Sequence, residues 1–145
     1  MCLSRHTKPG GYFEMQELDP RFKSDDGSLR EDSQLSSWSK IICEASAKYN
    51  RPVPHHDEYE RWFEKAGFVD VRRVYLKSPT NPWPKDGVLK EVGRAQLVAH
   101  VEGLEGLSIG LLTRAMGWKE EEVKVLMAKI RPELINRSIH SYQRT

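Results

Sequence analysis

The chain has 145 residues, 38% hydrophobic and 30% charged, with a formal net charge of +2. That composition fits one ordinary domain with a buried core. It offers no basic block for nucleic acid, no apolar run near the roughly 20 residues that span a bilayer, and no apolar signal-peptide core at the start.

Two cysteines, Cys2 and Cys43, are too few for a disulfide framework or a metal cage. An intracellular chain with free thiols, cytoplasmic or nuclear, is the expectation.

Pro9-Gly10-Gly11 is a turn signal, because Pro fixes φ and paired glycines permit positive φ. Tyr12, Phe13 and Met15 follow, interleaved with Glu14, Gln16 and Glu17, so Tyr12–Glu17 reads as a strand. A turn and strand so early suggest a chain that begins in the middle of a fold. Leu18 to Asp32 is polar, with Asp19-Pro20 and Asp25-Asp26-Gly27-Ser28 as turn chemistry.

Leu35, Trp38, Ile41, Ile42, Ala45 and Tyr49 recur at helical spacing behind Ser33, a suitable N-cap. Pro52 ends that helix. Asp57 to Ala66 is a second helix, with Asp57 and Glu60 as a candidate capping box. Tyr59, Trp62, Phe63 and Ala66 would be its buried stripe. Gly67 is placed to stop it. Val69, Val71, Val74 and Leu76 then mark a second strand, with a bulge near Arg72-Arg73.

Ser78 to Pro84 is a Pro-rich loop carrying Trp83. From about Asp86 to Ala115 the chain is helical, with Leu89, Val92, Leu97, Val101 and Leu104 along one face. Gly103, Gly106 and Gly110 predict a kink or two helices end to end, and Gly117 closes the segment. Glu120, Glu121 and Glu122 open the next helix, where negative charge suits the N-terminal dipole. Val123, Leu126, Met127, Ile130 and Leu134 form its buried stripe, and Pro132 should kink it. Ile139 to Arg144 alternates as a final strand. Three strands separated by helices predict an α/β layered fold around one sheet.

Four stretches carry a family resemblance. They are Lys8-Pro-Gly-Gly-Tyr-Phe-Glu-Met-Gln-Glu17, Trp38 to Pro52, Tyr59 to Val71, and the Lys77 to Gly93 run containing Pro82-Trp-Pro-Lys-Asp86. The closing His140-Ser-Tyr142 fits as well. Across residues 8–144 the chain resembles the C-terminal half of LaeA-like, S-adenosylmethionine-dependent, Rossmann-like methyltransferases of fungal secondary metabolism; residues 1–7 do not match.

The resemblance implies a single partial methyltransferase domain over 1–145. Its three strands would be equivalent to the last three of seven, the final one antiparallel. It also implies that the cofactor site belongs to the other half. No Gly-x-Gly-x-Gly occurs here, and Gly10-Gly11 precedes a strand rather than a helix. The expectation is therefore no S-adenosylmethionine bound by this chain alone.

No catalytic set and no metal set can be assembled from the sequence. His55-His56 reads as solvated linker, His100 as a mid-helix packing residue, and Arg72, Arg73, Lys77 and Lys85 as a solvated basic set. His140 and Tyr142 share a strand face. Glu17 at a strand end, Trp38 and Trp83 are the candidates for contacting a substrate. Two readings of function follow. One is a methyltransferase-like protein inactive without the cofactor half. The other is a non-enzymatic remnant or interaction module, or a non-methylating, pericyclase-like tailoring protein. The expected partner is a complementary half or a second copy, joined through the open strand Tyr12–Glu17. Nucleic acid, membrane and metal are not expected.

Overall fold

A computed structural model describes residues 6–145. Among them are four helices and a small two-stranded sheet, an α/β chain. The chain divides into two compact units. One comprises Met1–Glu17 with Pro54–Tyr75, the other Leu18–Val53 with Leu76–Thr145.

The larger unit is built on three helices. Helix α1, Gln34–Lys48, starts as expected at Ser33, whose side chain accepts from the Ser36 N–H. It buries Leu35, Trp38, Ile42 and Ala45, the spacing of a single helical face. Helix α3, Gly87–Met116, begins at Asp86, whose carboxylate accepts from the Leu89 N–H, and ends at Gly117 in the left-handed conformation. Its thirty residues run unbroken through Gly103, Gly106 and Gly110, so of the two expectations there, a kink or two helices end to end, the second is corrected. The reason is packing. His100, Leu104, Ser108 and Leu112 are buried at four-residue intervals, and contact with α1 and α4 outweighs the weak helix propensity of glycine. Of the predicted face, Leu104 lies on this ridge and Leu97 packs against the core, whereas Leu89 and Val101 are exposed.

Helix α4, Glu120–Ile135, opens on the three glutamates and carries Pro132 in its last turns. Val123, Met127, Ile130 and Leu134 are buried. With Phe22 and the inner residues of α1 and α3 they form the apolar core.

The sheet joins β1, Lys77–Pro79, to β2, Tyr142–Arg144, antiparallel, with Ser78 opposite Gln143. Leu76 and Thr145 extend the pairing by a reciprocal pair of bonds at 3.0 Å. On the other side of β2, Lys23 exchanges bonds with Tyr142 at 2.9 and 2.8 Å.

This sheet differs from the three predicted strands. Tyr12–Glu17 is extended but forms no strand, and Tyr12 is 100% exposed. Of the second predicted strand only Leu76 and Lys77 are paired, and the third is shortened to Tyr142–Arg144. β-propensity expresses fit to a half-buried pleated surface, and no such surface lies against Tyr12–Glu17 within its own unit. In the second segment Asp70, at φ 54°, interrupts the extended backbone.

The smaller unit is organised by helix α2, His56–Lys65, which Gly67 follows at φ 91°. Its N-terminal cap is made by Glu58, which accepts from the His55 N–H at 3.1 Å, not by the expected Asp57 and Glu60. Those two acids instead hold Arg73, at 2.5 and 3.4 Å. Phe63 packs between Phe13 and Phe68, with ring centroids 5.6 and 5.7 Å away. Trp62 is 39% exposed, so the predicted Trp62–Phe63 buried stripe is corrected. Phe63 is the half-buried member of a three-ring cluster, and Trp62 sits edge-on to Tyr59 at 5.4 Å.

Candidate functional site

The most heavily bonded polar cluster lies where the Ser78–Pro84 loop crosses the strand end before β2. Thr80, Asn81 and Ser141 are fully buried. A buried polar group must find partners or cost free energy. Here the Ser141 carbonyl accepts from the Thr80 N–H at 3.1 Å and from the Trp83 indole N–H at 2.9 Å. The Thr80 and Ser141 hydroxyls meet at 2.5 Å. Asn81 donates through Nδ2 to the Asn136 and Ile139 carbonyls, both at 3.2 Å. α3 presses on this loop at Gly93, where a Cβ would stand 2.2 Å from the Asn81 carbonyl oxygen. Glycine is required there for close approach of two backbones.

About two helix turns further on, buried His100 shares a 2.8 Å hydrogen bond with Gln143 through Nε2 and lies 5.4 Å from the Phe22 ring. Burial lowers its pKa, opposed by the bond to Gln143 and by the Gln96 carbonyl. The imidazole is therefore held neutral.

Beside the joint, the Asp25-Asp26-Gly27-Ser28 turn folds onto β2. The Tyr142 hydroxyl donates to Asp25 at 2.7 Å. Lys77 forms an ion pair with Asp25 and lies over the Tyr142 ring, 4.9 Å from its centroid. His140 contacts Asp26 at 2.5 Å through Nδ1 and stacks on Trp83 at 4.8 Å. Hydrogen bonds from Lys77 and then Tyr142 lower the Asp25 pKa. Bonds from Ser24 and Ser28, then His140, hold Asp26 well below the usual carboxylate range. The Tyr142 hydroxyl is pushed up by burial and by donating to Asp25.

His140 and Tyr142 thus share a face, as predicted, and that face meets the acidic turn. The turn's role was missed because it is set by pairing across 117 residues of sequence. The available signal was two adjacent acids at the Gly27 turn.

The three predicted substrate residues are not brought together. Trp38 is buried in the helical core and donates to the Ser108 hydroxyl at 2.9 Å. Trp83 is half-buried against Ser141 and His140. Glu17 is exposed, in the smaller unit. Among the described residues no three His, Cys, Asp or Glu side chains are grouped to hold a metal. Among the described residues, too, no helix is long and apolar enough to cross a membrane.

Nearly the whole chain aligns with methyltransferase-like proteins of fungal secondary metabolism, and it is LaeA-like. It is 41% identical over 134 residues to the probable methyltransferase tdiE of Emericella nidulans, covering 92% of this chain and 42% of that protein. It is 34% identical over 139 residues to the secondary metabolism regulator LAE1 of Cochliobolus heterostrophus, covering 94% and 45%. It is 31% identical over 138 residues to the protein-methionine methyltransferase laeA of Emericella nidulans, covering 94% and 37%. The chain therefore spans about two-fifths of the length of the curated relatives it matches. No protein-family model and no solved structure matches it.

These relatives imply S-adenosylmethionine for the whole family. Two of the four described helix starts are occupied by side chains. A helix start with free N–H groups is a ready site for a negatively charged group of a ligand. Here the Gln34 and Leu35 N–H groups of α1 are taken by the Glu133 carboxylate at 3.0 and 2.9 Å. That of Ser36 is taken by Ser33. The start of α3 is closed by Asp86.

Proposed function

We propose that this chain is the substrate-side part of a methyltransferase-like protein and works only with a complementary, cofactor-binding part. The observation that carries this reading is the match along 92–94% of the chain to under half of each relative. The occupied N-termini of α1 and α3 support it. In the complete Rossmann-like sheet, Tyr12–Glu17, Val69–Lys77 and Ile139–Arg144 would be the last three strands. The antiparallel pairing of β1 with β2 supports that assignment for the last two.

In this reading Trp83, flanked by prolines and stacked on His140, lines the substrate cleft. Glu17 is a separate candidate for contacting substrate. Trp38 acts from the core by holding α1 against α3. The complementary part, or a second copy, pairs with Tyr12–Glu17, and the protein works in the cytoplasm or nucleus. The test is co-production with the part of tdiE that this chain does not match, followed by assay of the complex for methyl-donor binding. Binding by the complex but not by either piece supports the reading. A complex that forms without binding donor favours a non-enzymatic interaction module, for which the exposed apolar Tyr12, Val69, Val74 and Leu76 would be the contact residues.

A further inference from the structure

Helix α3 carries a second face that nothing in its unit covers. Glu102, Gly106, Gly110 and Arg114 follow at four-residue intervals, so they form one ridge along the helix. At Gly106 and Gly110 nothing lies within 4 Å of where a Cβ would stand. Around these glycines Tyr49, Leu107 and Leu111 line an open groove of about 260 Å³, with Arg114 at its end. Tyr49 and Leu107 are 48% and 52% exposed. Glu102 and Arg114 are exposed, and neither has an ion-pair partner among the described residues.

The ridge is self-complementary. Each charge lies one step of four residues outside the nearer glycine, and the charges are opposite. A twofold axis at the level of Ser108 exchanges Gly106 with Gly110 and Glu102 with Arg114. Two antiparallel copies of α3 would then meet glycine to glycine, with an opposite-charge pair at each end of the contact. A parallel pairing would set like charge on like. Lacking side chains, the glycines let the helix axes approach more closely than the usual ~8–10 Å, and Leu107 and Leu111 would be covered.

We propose that this groove takes a second copy of the chain, α3 crossing α3 antiparallel at Gly106 and Gly110, with Glu102 facing the partner's Arg114. The surface is separate from Tyr12–Glu17 and needs no cofactor, so the proposal stands or falls independently of the methyltransferase reading.

Sedimentation equilibrium of the full 145-residue chain, at about 1–100 μM, tests it. The wild type should be a reversible dimer. Glu102→Arg or Arg114→Glu should each weaken dimerisation at least about tenfold, and the double reversal should return it to within about threefold of wild type. Gly110→Leu, which fills the groove floor, should weaken it at least as much as one reversal. Circular dichroism should report an unchanged helix content for all four variants, because the substituted positions lie outside the core. A monomeric wild type would overturn the proposal. So would a dimer indifferent to the single reversals, or a double reversal no better than either single one.

Discussion

The Glu133 carboxylate of α4 closes the N-terminus of α1, accepting from the Leu35 N–H at 2.9 Å. Its other oxygen accepts from Gln34 at 3.0 Å, so one side chain satisfies two otherwise orphaned helix donors. It also places negative charge at the positive end of the α1 dipole. Ser33 caps the same helix locally, and Glu133 adds a tie across 98 residues of sequence. Glu133→Ala should therefore cost about 1–2 kcal/mol in urea denaturation, and Glu133→Gln about half as much. A loss below about 0.3 kcal/mol would mean that Ser33 alone suffices.

The Trp38–Ser108 bond makes a contrasting pair of predictions about aromatic residues. Both residues are buried, so Ser108→Ala leaves the indole N–H without its acceptor and should cost about 1–3 kcal/mol. Trp62→Ala, at an exposed position, should cost about 1 kcal/mol or less. Chemical denaturation of the two variants checks the order, and a larger loss for Trp62 would reverse the assignment of the core.

Gly93 tests the joint between α3 and the Ser78–Pro84 loop. A methyl group there would overlap the Asn81 carbonyl, backbone against backbone. Gly93→Ala should cost upwards of about 3 kcal/mol despite its better helix propensity. Gly103→Ala, with open space around it, should stabilise the fold by about 0.5–1 kcal/mol. Thermal denaturation of both would decide the matter, and equal effects would contradict the close approach.

These glycines illustrate what could be read before the structure. Helix positions, caps at Ser33 and Gly117, and the buried stripe of α4 were all legible, because capping and 3.6-residue periodicity are local. Gly93 looks like any other helical glycine until the Asn81 backbone is seen against it. The strands were over-read at Tyr12–Glu17 and Val69–Tyr75, where the residues suit a sheet but no neighbouring strand among the described residues pairs with them. The break into two helices at Gly103–Gly110 was over-read too, because the buried ridge from His100 to Leu112 holds the helix together. At the candidate site, the shared face of His140 and Tyr142 was visible from alternation. Its partners Asp25 and Asp26 were not, since the contact is distant in sequence.

Buried His100 gives a pH dependence with a defined sign. Burial lowers its folded pKa below the ordinary 6.5, so the unfolded chain takes up the proton first. The contribution is complete above pH 6.5 and is lost as pH falls toward the folded value. Asp25 and Asp26 also have lowered values, but they act at lower pH, below their ordinary 3.8. Stability measured between about pH 7 and 5 should fall in the wild type and fall less steeply in His100→Gln. Equal slopes would assign the loss to other groups.

The central claim is that this methyltransferase-like chain does not carry its own cofactor site. Calorimetric titration of the folded 145-residue chain with S-adenosylmethionine tests it most directly. The account predicts no binding tighter than about 100 μM, or about −5.5 kcal/mol. A one-to-one isotherm at low micromolar Kd would contradict it, because free helix-start N–H groups or an equivalent cradle would then have to exist within the chain.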